Sequence, residues 1–256
     1  MIITQNKKKG KKFSKNNLPV QYIDKPVSNN VLFSYIEDFK EIVGLPQLLK
    51  DHLGTYNALK GANSKYTVPG IIDYMIDAII LGYSRFMHME QLRNDKAYCA
   101  LKNNHTMPSE KVCRDMLSLL PDNAEETFRE LNRALLQMMA DGGNAREVTL
   151  DFDDTVVSVF GSQEGADIGY NPKYHGCPSY KEKVCVIGST KELAGLTLEE
   201  GSHHSNYKFL EFFKQCQEKL PENWIVKRIR ADRGFFDQKN LTYFEDNGYE
   251  YVVKAK

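Results

Sequence analysis

The sequence predicts a mixed α/β protein whose first half is helical and whose second half builds a sheet. Three observations lead there. Apolar residues recur at three- and four-residue spacing between Val31 and Asn144, β-branched and apolar runs take over at Val148, and helix and strand patterns alternate from Ser205 onward. In the helical half, Val31–Val43, Pro69–Gly82 and Ala124–Ala140 carry the periodicity, with Pro46, Gly54, Gly61 and Pro121 as breaks and Gly142-Gly143 as its close. Ser109 stands where an N-cap belongs, ahead of the helical run EKVCRDMLSLL. Such short helices serve either as plain packed helices or as a DNA-reading helix-turn-helix. Beyond Val148 the strands expected are Val148–Phe160, Lys183–Thr190, Leu193–Leu198, Trp224–Ala231 and Tyr249–Lys254. Helices are expected over Ser205–Leu220 and Gln238–Asn247. The order β-β-β-α-β-α-β implies a mixed five-stranded sheet with helices against it.

Composition limits the classes available. The chain has 256 residues, 41% of them hydrophobic and 27% charged, which suits a globular protein with a core. No apolar run approaches the ~20 residues that span a bilayer, and no apolar signal core follows the basic start, so neither a membrane nor secretion is expected. Five cysteines without CxxC spacing read as reduced thiols rather than a disulfide framework or zinc site, and the expected location is the cytoplasm. Charge balances at 34 basic and 34 acidic residues, yet the first 16 residues hold six lysines and no acid. Such an arm, with Lys7, Lys8, Lys9, Lys11 and Lys12 at its centre, is either a disordered solubilising tail or a non-specific phosphate binder. The expected organisation is a basic arm over 1–18, a helical and possible DNA-binding region over 19–145, and a sheet domain over 146–256.

The chemistry concentrates in VTLDFDDTVVSVFG, where Asp151, Asp153 and Asp154 interrupt an apolar strand. Aspartate is a poor strand former, and its burial is costly without a cation or donor. By strand alternation Asp151 and Asp153 share one face and Asp154 takes the other. A second carboxylate, Asp232 in VKRIRADRGFF, ends a strand before a glycine turn. If those strands adjoin, Asp153 and Asp232 can share a divalent cation and support phosphoryl transfer. Read without a partner, Asp232 is an ordinary turn or cap aspartate.

Two families resemble this pattern. DFDDTV fits the DxDxT signature of haloacid-dehalogenase-type phosphatases, with Asp151 as nucleophile and Asp153 as acid. That signature ends its strand, whereas VVSVF here continues the β pattern. The fuller resemblance is to insertion-sequence transposases of the DDE class (group 1), whose catalytic core is RNase H-like. It rests on LDFDDTVVSVFGSQEGADIGYNPKYHGCPSY, LAGLTLEEGSHHS, IRADRGFF and GYEYVVKAK, in order and at similar spacing.

The resemblance implies metal-dependent DNA cleavage and strand transfer with Mg²⁺ (or Mn²⁺), acting on double-stranded DNA with terminal inverted repeats. It also implies a homo-oligomer on DNA and nucleoid association when bound. Asp153 matches the first catalytic and metal-binding aspartate, Asp232 the second, and Asp151 an accessory position kept as a reserve ligand. Asp154 stands where the family usually has serine. Gln163, Glu164, Tyr170, Asn171, His203 and His204 fall in the family's loop blocks, the histidines more in keeping with loop hydrogen bonding than with metal. The family's third carboxylate is a glutamate on a helix further downstream. Glu245 and Glu250 lie too close to Asp232 to replace it, so the resemblance implies a C-terminally truncated, incomplete core without its third carboxylate. A remnant that binds DNA or dimerises without chemistry is the alternative expectation.

Overall fold

A computed structural model describes residues 28, 30, 33–140 and 143–255. The lysine arm expected to contact DNA, Lys7 to Lys12, lies outside the described residues. The chain forms two compact units: Tyr56–Leu120 together with the chain up to Gln47, and Pro121–Lys256 together with Leu48–Thr55.

The helical unit contains α1 (Phe33–Ile42), α3 (Val68–Ile80), α4 (Phe86–Arg93), α5 (Lys96–Leu101) and α6 (Glu110–Leu119), while α2 (Leu45–Leu53) spans the boundary between units. Local chemistry sets the helix starts. Thr67 accepts from Gly70 N–H ahead of α3, Asp95 from Ala97 and Tyr98 N–H ahead of α5, and Ser109 from Val112 N–H ahead of α6. The core of the unit is aromatic: Tyr98 packs on Phe33 and Tyr74, and the buried Tyr74 hydroxyl donates to the Met89 carbonyl at 2.7 Å. Among the described residues no helix is long and apolar enough to cross a membrane.

The second unit is built on α7 (Ala124–Ala140), β1 (Arg146–Ser158), β2 (Asp167–Ile168), β3 (Pro178–Ile187), β4 (Leu193–Glu200), α8 (Phe209–Glu218), β5 (Trp224–Ala231), α9 (Gln238–Asp246) and β6 (Glu250–Val253). The domain boundary expected at 145/146 thus falls inside this unit. The reason is that α7 turns its apolar stripe inward: Leu136 and Ala140 join the same buried cluster as Val148, Leu150 and Phe152.

The sheet has six strands among the described residues, not the five expected. Their order is β2-β3-β1-β5-β6, with β4 also on β3. The additional strand, β2, is two residues long and pairs Asp167 and Ile168 with Ser179 and Pro178, too short to leave a periodic signal. β3 runs antiparallel to β1 and β4, whereas β5 runs parallel to β1 and β6 parallel to β5. Helices α8 and α9 supply Phe209, Phe212, Phe213, Cys216 and Phe244 to a core shared with Leu150, Phe152, Cys185, Ile187 and Ile229. Phe152 is ringed by Phe209, Phe212 and Phe213 at 5.1, 6.0 and 5.8 Å. These contacts anchor the middle of β1 immediately before Asp153.

Candidate metal centre

β1 is the central strand, and its partners decide where its aspartates lie. In the parallel β1–β5 ladder, Phe152 stands opposite Ala231. The next residues along each strand are Asp153 and Asp232, so the register alone brings them side by side. The chain then turns at Arg233–Phe235, where the Asp232 carboxylate accepts from Gly234 N–H at 2.8 Å. Two residues fix this turn. Phe235 is buried against Phe209, with ring centroids 4.7 Å apart, and a Cβ on Gly234 would come within 2.5 Å of Ser205 Oγ. The glycine is therefore there for close approach.

Asp153, Asp154 and Asp232 each present a carboxylate oxygen within 4.8 Å of the others. Asp153 and Asp232 are exposed, and Asp154 is half-buried. Like charges at such separations repel by roughly 1 to 4 kcal/mol per pair between water and a protein-surface dielectric. Three hard oxygen donors at an open edge suit a magnesium- or manganese-type cation.

Asp154 is the member that sequence reasoning missed. Alternation sets it on the core-facing side with Phe152, away from Asp153. However, β5 ends at Ala231, so β1 has no neighbour on that side beyond Phe152, and side chains from both faces can turn around the open edge towards Asp232. Lys181 is the other residue missed; its ammonium lies 3.0 Å from Asp154 Oδ2. A lysine alternating with polar neighbours in SYKEK reads as solvent-facing, and only the β1–β3 register shows otherwise.

Asp151 stays apart from the cluster. Arg230 grips it with two donors, Nε to Oδ1 at 2.6 Å and a terminal guanidinium nitrogen to Oδ2, while Lys191 approaches at 3.2 Å. Burial acts to raise the Asp151 carboxyl, but the hydrogen bonds and charges of Arg230 and Lys191 outweigh it and hold the group below the usual carboxylate range. Glu250 pairs with Arg228, and Glu245 accepts from the Tyr251 hydroxyl at 2.6 Å.

The loop-block residues hold local structure. Asn171 is buried, donates to Ser158 Oγ and accepts from Lys173 and Tyr174 N–H. The Glu164 carbonyl accepts from the Tyr180 hydroxyl, and Tyr170 is exposed. His204 accepts from Asn206 N–H where the chain leads into α8, and His203 stacks on Tyr207 at 3.7 Å.

A second group of carboxylates, Glu37, Asp73 and Asp77, occupies the helical unit. Lys40 and Lys102 sit among them, with Lys40 2.7 Å from Glu37 and Lys102 2.6 Å from Asp73. Burial works to lower both lysines, but their acidic partners outweigh it and keep them above the ordinary value. Burial, then the charge of Asp73, pushes the Asp77 carboxyl up. Two ammonium groups already fill the space a cation would take.

The sequence profile of the family described as transposase DDE domain group 1 matches residues 28–256. The chain belongs to that family. Its mixed sheet joins an antiparallel β1–β3–β4 half to a parallel β1–β5–β6 half, the mixed α/β architecture expected from the sequence. The chain is similar to the Drosophila P element transposase in a strand transfer complex, at 14% identity and a TM-score of 0.39, covering 83% of this chain and 47% of that one. It is similar to piggyBac transposase in a synaptic complex with hairpin DNA, at 11% identity and a TM-score of 0.40, covering 89% and 50%. The Mos1 mariner paired end complex with Mn gives 11% identity and a TM-score of 0.26, covering 90% and 79%. The chain thus spans about half the length of the P element and piggyBac transposases. No curated protein sequence matches it. The phosphatase reading fails on β1, which continues unbroken through Asp153 to Ser158 where that signature requires the strand to end.

Proposed function

We propose that this chain carries the catalytic core of an insertion-sequence transposase, which cuts DNA at the ends of its element and joins the freed 3′-hydroxyl to target DNA. Family membership supports the reaction class. The single observation that carries the site assignment is that the parallel β1–β5 register sets Asp153, within β1, beside Asp232, just past the end of β5. Catalytic roles go to these two residues, which hold Mg²⁺ or Mn²⁺. The bound ion supplies activation of water and stabilisation of the leaving oxygen in an in-line phosphoryl displacement.

The protein's own contribution is rigidity. The Phe152 ring cluster fixes one carboxylate and the Phe235 turn fixes the other, so the donor oxygens are oriented before any ion arrives. Asp151 becomes a ligand only by leaving Arg230, and its salt bridge instead braces β1 against β5. The proposed partner is double-stranded DNA with terminal inverted repeats, bound by a homo-oligomer, with the Lys7–Lys12 arm adding phosphate contacts. The proposed setting is the cytoplasm, at the nucleoid when DNA is bound.

The test is cleavage of DNA bearing the element's terminal repeats by the chain in Mg²⁺ or Mn²⁺. Cutting should require the ion and vanish in Asp153→Ala and in Asp232→Ala. Undiminished cutting by either variant would contradict the assignment, and repeat binding without any cutting would favour the non-catalytic remnant.

A further inference from the structure

Two lysines, Lys181 and Lys183, lie on the core-facing side of β3, and both are buried. Lysine is almost never buried without a partner, so each position asks what its ammonium serves. Lys183 is committed to the chain leading into α8: it donates to the Tyr207 carbonyl and sits 3.5 Å from Glu199. Lys181 points to the carboxylates. Its side chain is 8% exposed, and its Nζ lies 3.0 Å from Asp154 Oδ2 and donates to the buried Ser205 Oγ at 3.3 Å. Ser205 in turn packs directly on Gly234, the residue whose N–H binds Asp232. One buried cation therefore touches Asp154 on β1 and, through Ser205, the turn that presents Asp232.

We propose that Lys181 is a positioning residue of the metal centre, its ammonium holding Asp154 beside Asp153 and Asp232 so that Asp154 adds a further donor oxygen to the same ion. The proposal rests on the metal-site reading above. The ion pair directs one Asp154 oxygen inward and offsets part of the repulsion among the three acids. It leaves the other oxygen for a cation at the open edge. The geometry accounts for an aspartate at 154 and a lysine at 181 together: either alone would leave a charge without compensation in a half-buried site.

The experiment is a titration of the full chain with Mn²⁺, without DNA, reading free ion by electron paramagnetic resonance. Lys181→Met should weaken Mn²⁺ binding about tenfold, the usual loss when a ligand's support is removed, and Asp154→Ser, which removes the donor itself, at least as much. Lys181→Arg, which keeps the charge, should recover most of the affinity. In the Asp154→Ser background, Lys181→Met should cost nothing more, because the lysine acts through that carboxylate. Wild-type affinity in Asp154→Ser would overturn the proposal, as would an equal Lys181→Met loss in both backgrounds, which marks a lysine that only fills the core. If Lys181→Met fails to fold by circular dichroism, Asp154→Ser alone decides. Mn²⁺ binding that survives Asp153→Ala would remove the metal-site reading itself, a result distinct from failure of the lysine's role.

Discussion

Glu37, Asp73 and Asp77 in the helical unit and Asp153, Asp154 and Asp232 in the sheet unit are both close-set groups of three carboxylates, yet their surroundings differ. The helical group is enclosed, with Asp77 and Lys40 buried and two lysines interleaved among its acids. The sheet group has two exposed members and one lysine, held to one side against Asp154. Three acids sharing two ammonium groups make a self-satisfied structural network. Three acids sharing one retain negative charge at an open edge. What separates a brace from a binding site is the compensating charge and its access, not the number of carboxylates.

That contrast can be broken first through stability. Asp77→Ala removes an acceptor from Lys40, Lys102 and the Tyr98 hydroxyl; both lysines keep Glu37 and Asp73, while the buried hydroxyl is left without its acceptor. The expected cost is about 1 to 3 kcal/mol, read as lost hydrogen-exchange protection along α3. Asp153→Ala, in contrast, should leave the protection of β1 within about 0.5 kcal/mol of wild type, since it removes an exposed charge from among like charges. Equal costs at the two positions would erase the distinction.

A smaller effect sharpens the comparison from Asp151, a carboxylate in the sheet unit that is compensated. Its lowered pKa gives stability that is present above the ordinary carboxylate value and lost as pH falls through its own. Arg230 is about half exposed, so solvent screening limits the contribution to about 1 kcal/mol or less. In Arg230→Ala the acid-side loss of urea stability should shrink by that amount. An unchanged acid limb would show that the pair contributes nothing.

Much of this was legible in sequence where local chemistry decides. Ser109 caps α6, α7 occupies Ala124–Ala140, and β1 carries its aspartates through an unbroken strand, as expected. The start of β3 was not legible, because its core-facing residues are Ser179, Lys181 and Lys183. Polar residues facing inward conceal the period that marks a strand; Lys181 is there for Asp154 on β1, and Lys183 for the Tyr207 carbonyl and Glu199. The same holds for the site. Asp153 stands out as a carboxylate within an apolar strand and Asp232 as one at a strand end, but their adjacency depends on the parallel register between segments some 80 residues apart, and Asp154's membership depends on where β5 stops. Local pattern identifies the parts, whereas long-range pairing assembles them.

The most direct measurement is Mn²⁺ binding to the full chain set against two substitutions, Asp232→Asn and Asp73→Asn, one from each group of acids. The account predicts that Asp232→Asn abolishes binding and that Asp73→Asn, where stable enough to measure, leaves it unchanged. Binding that survives Asp232→Asn and disappears in Asp73→Asn would place the metal in the helical unit and contradict the account.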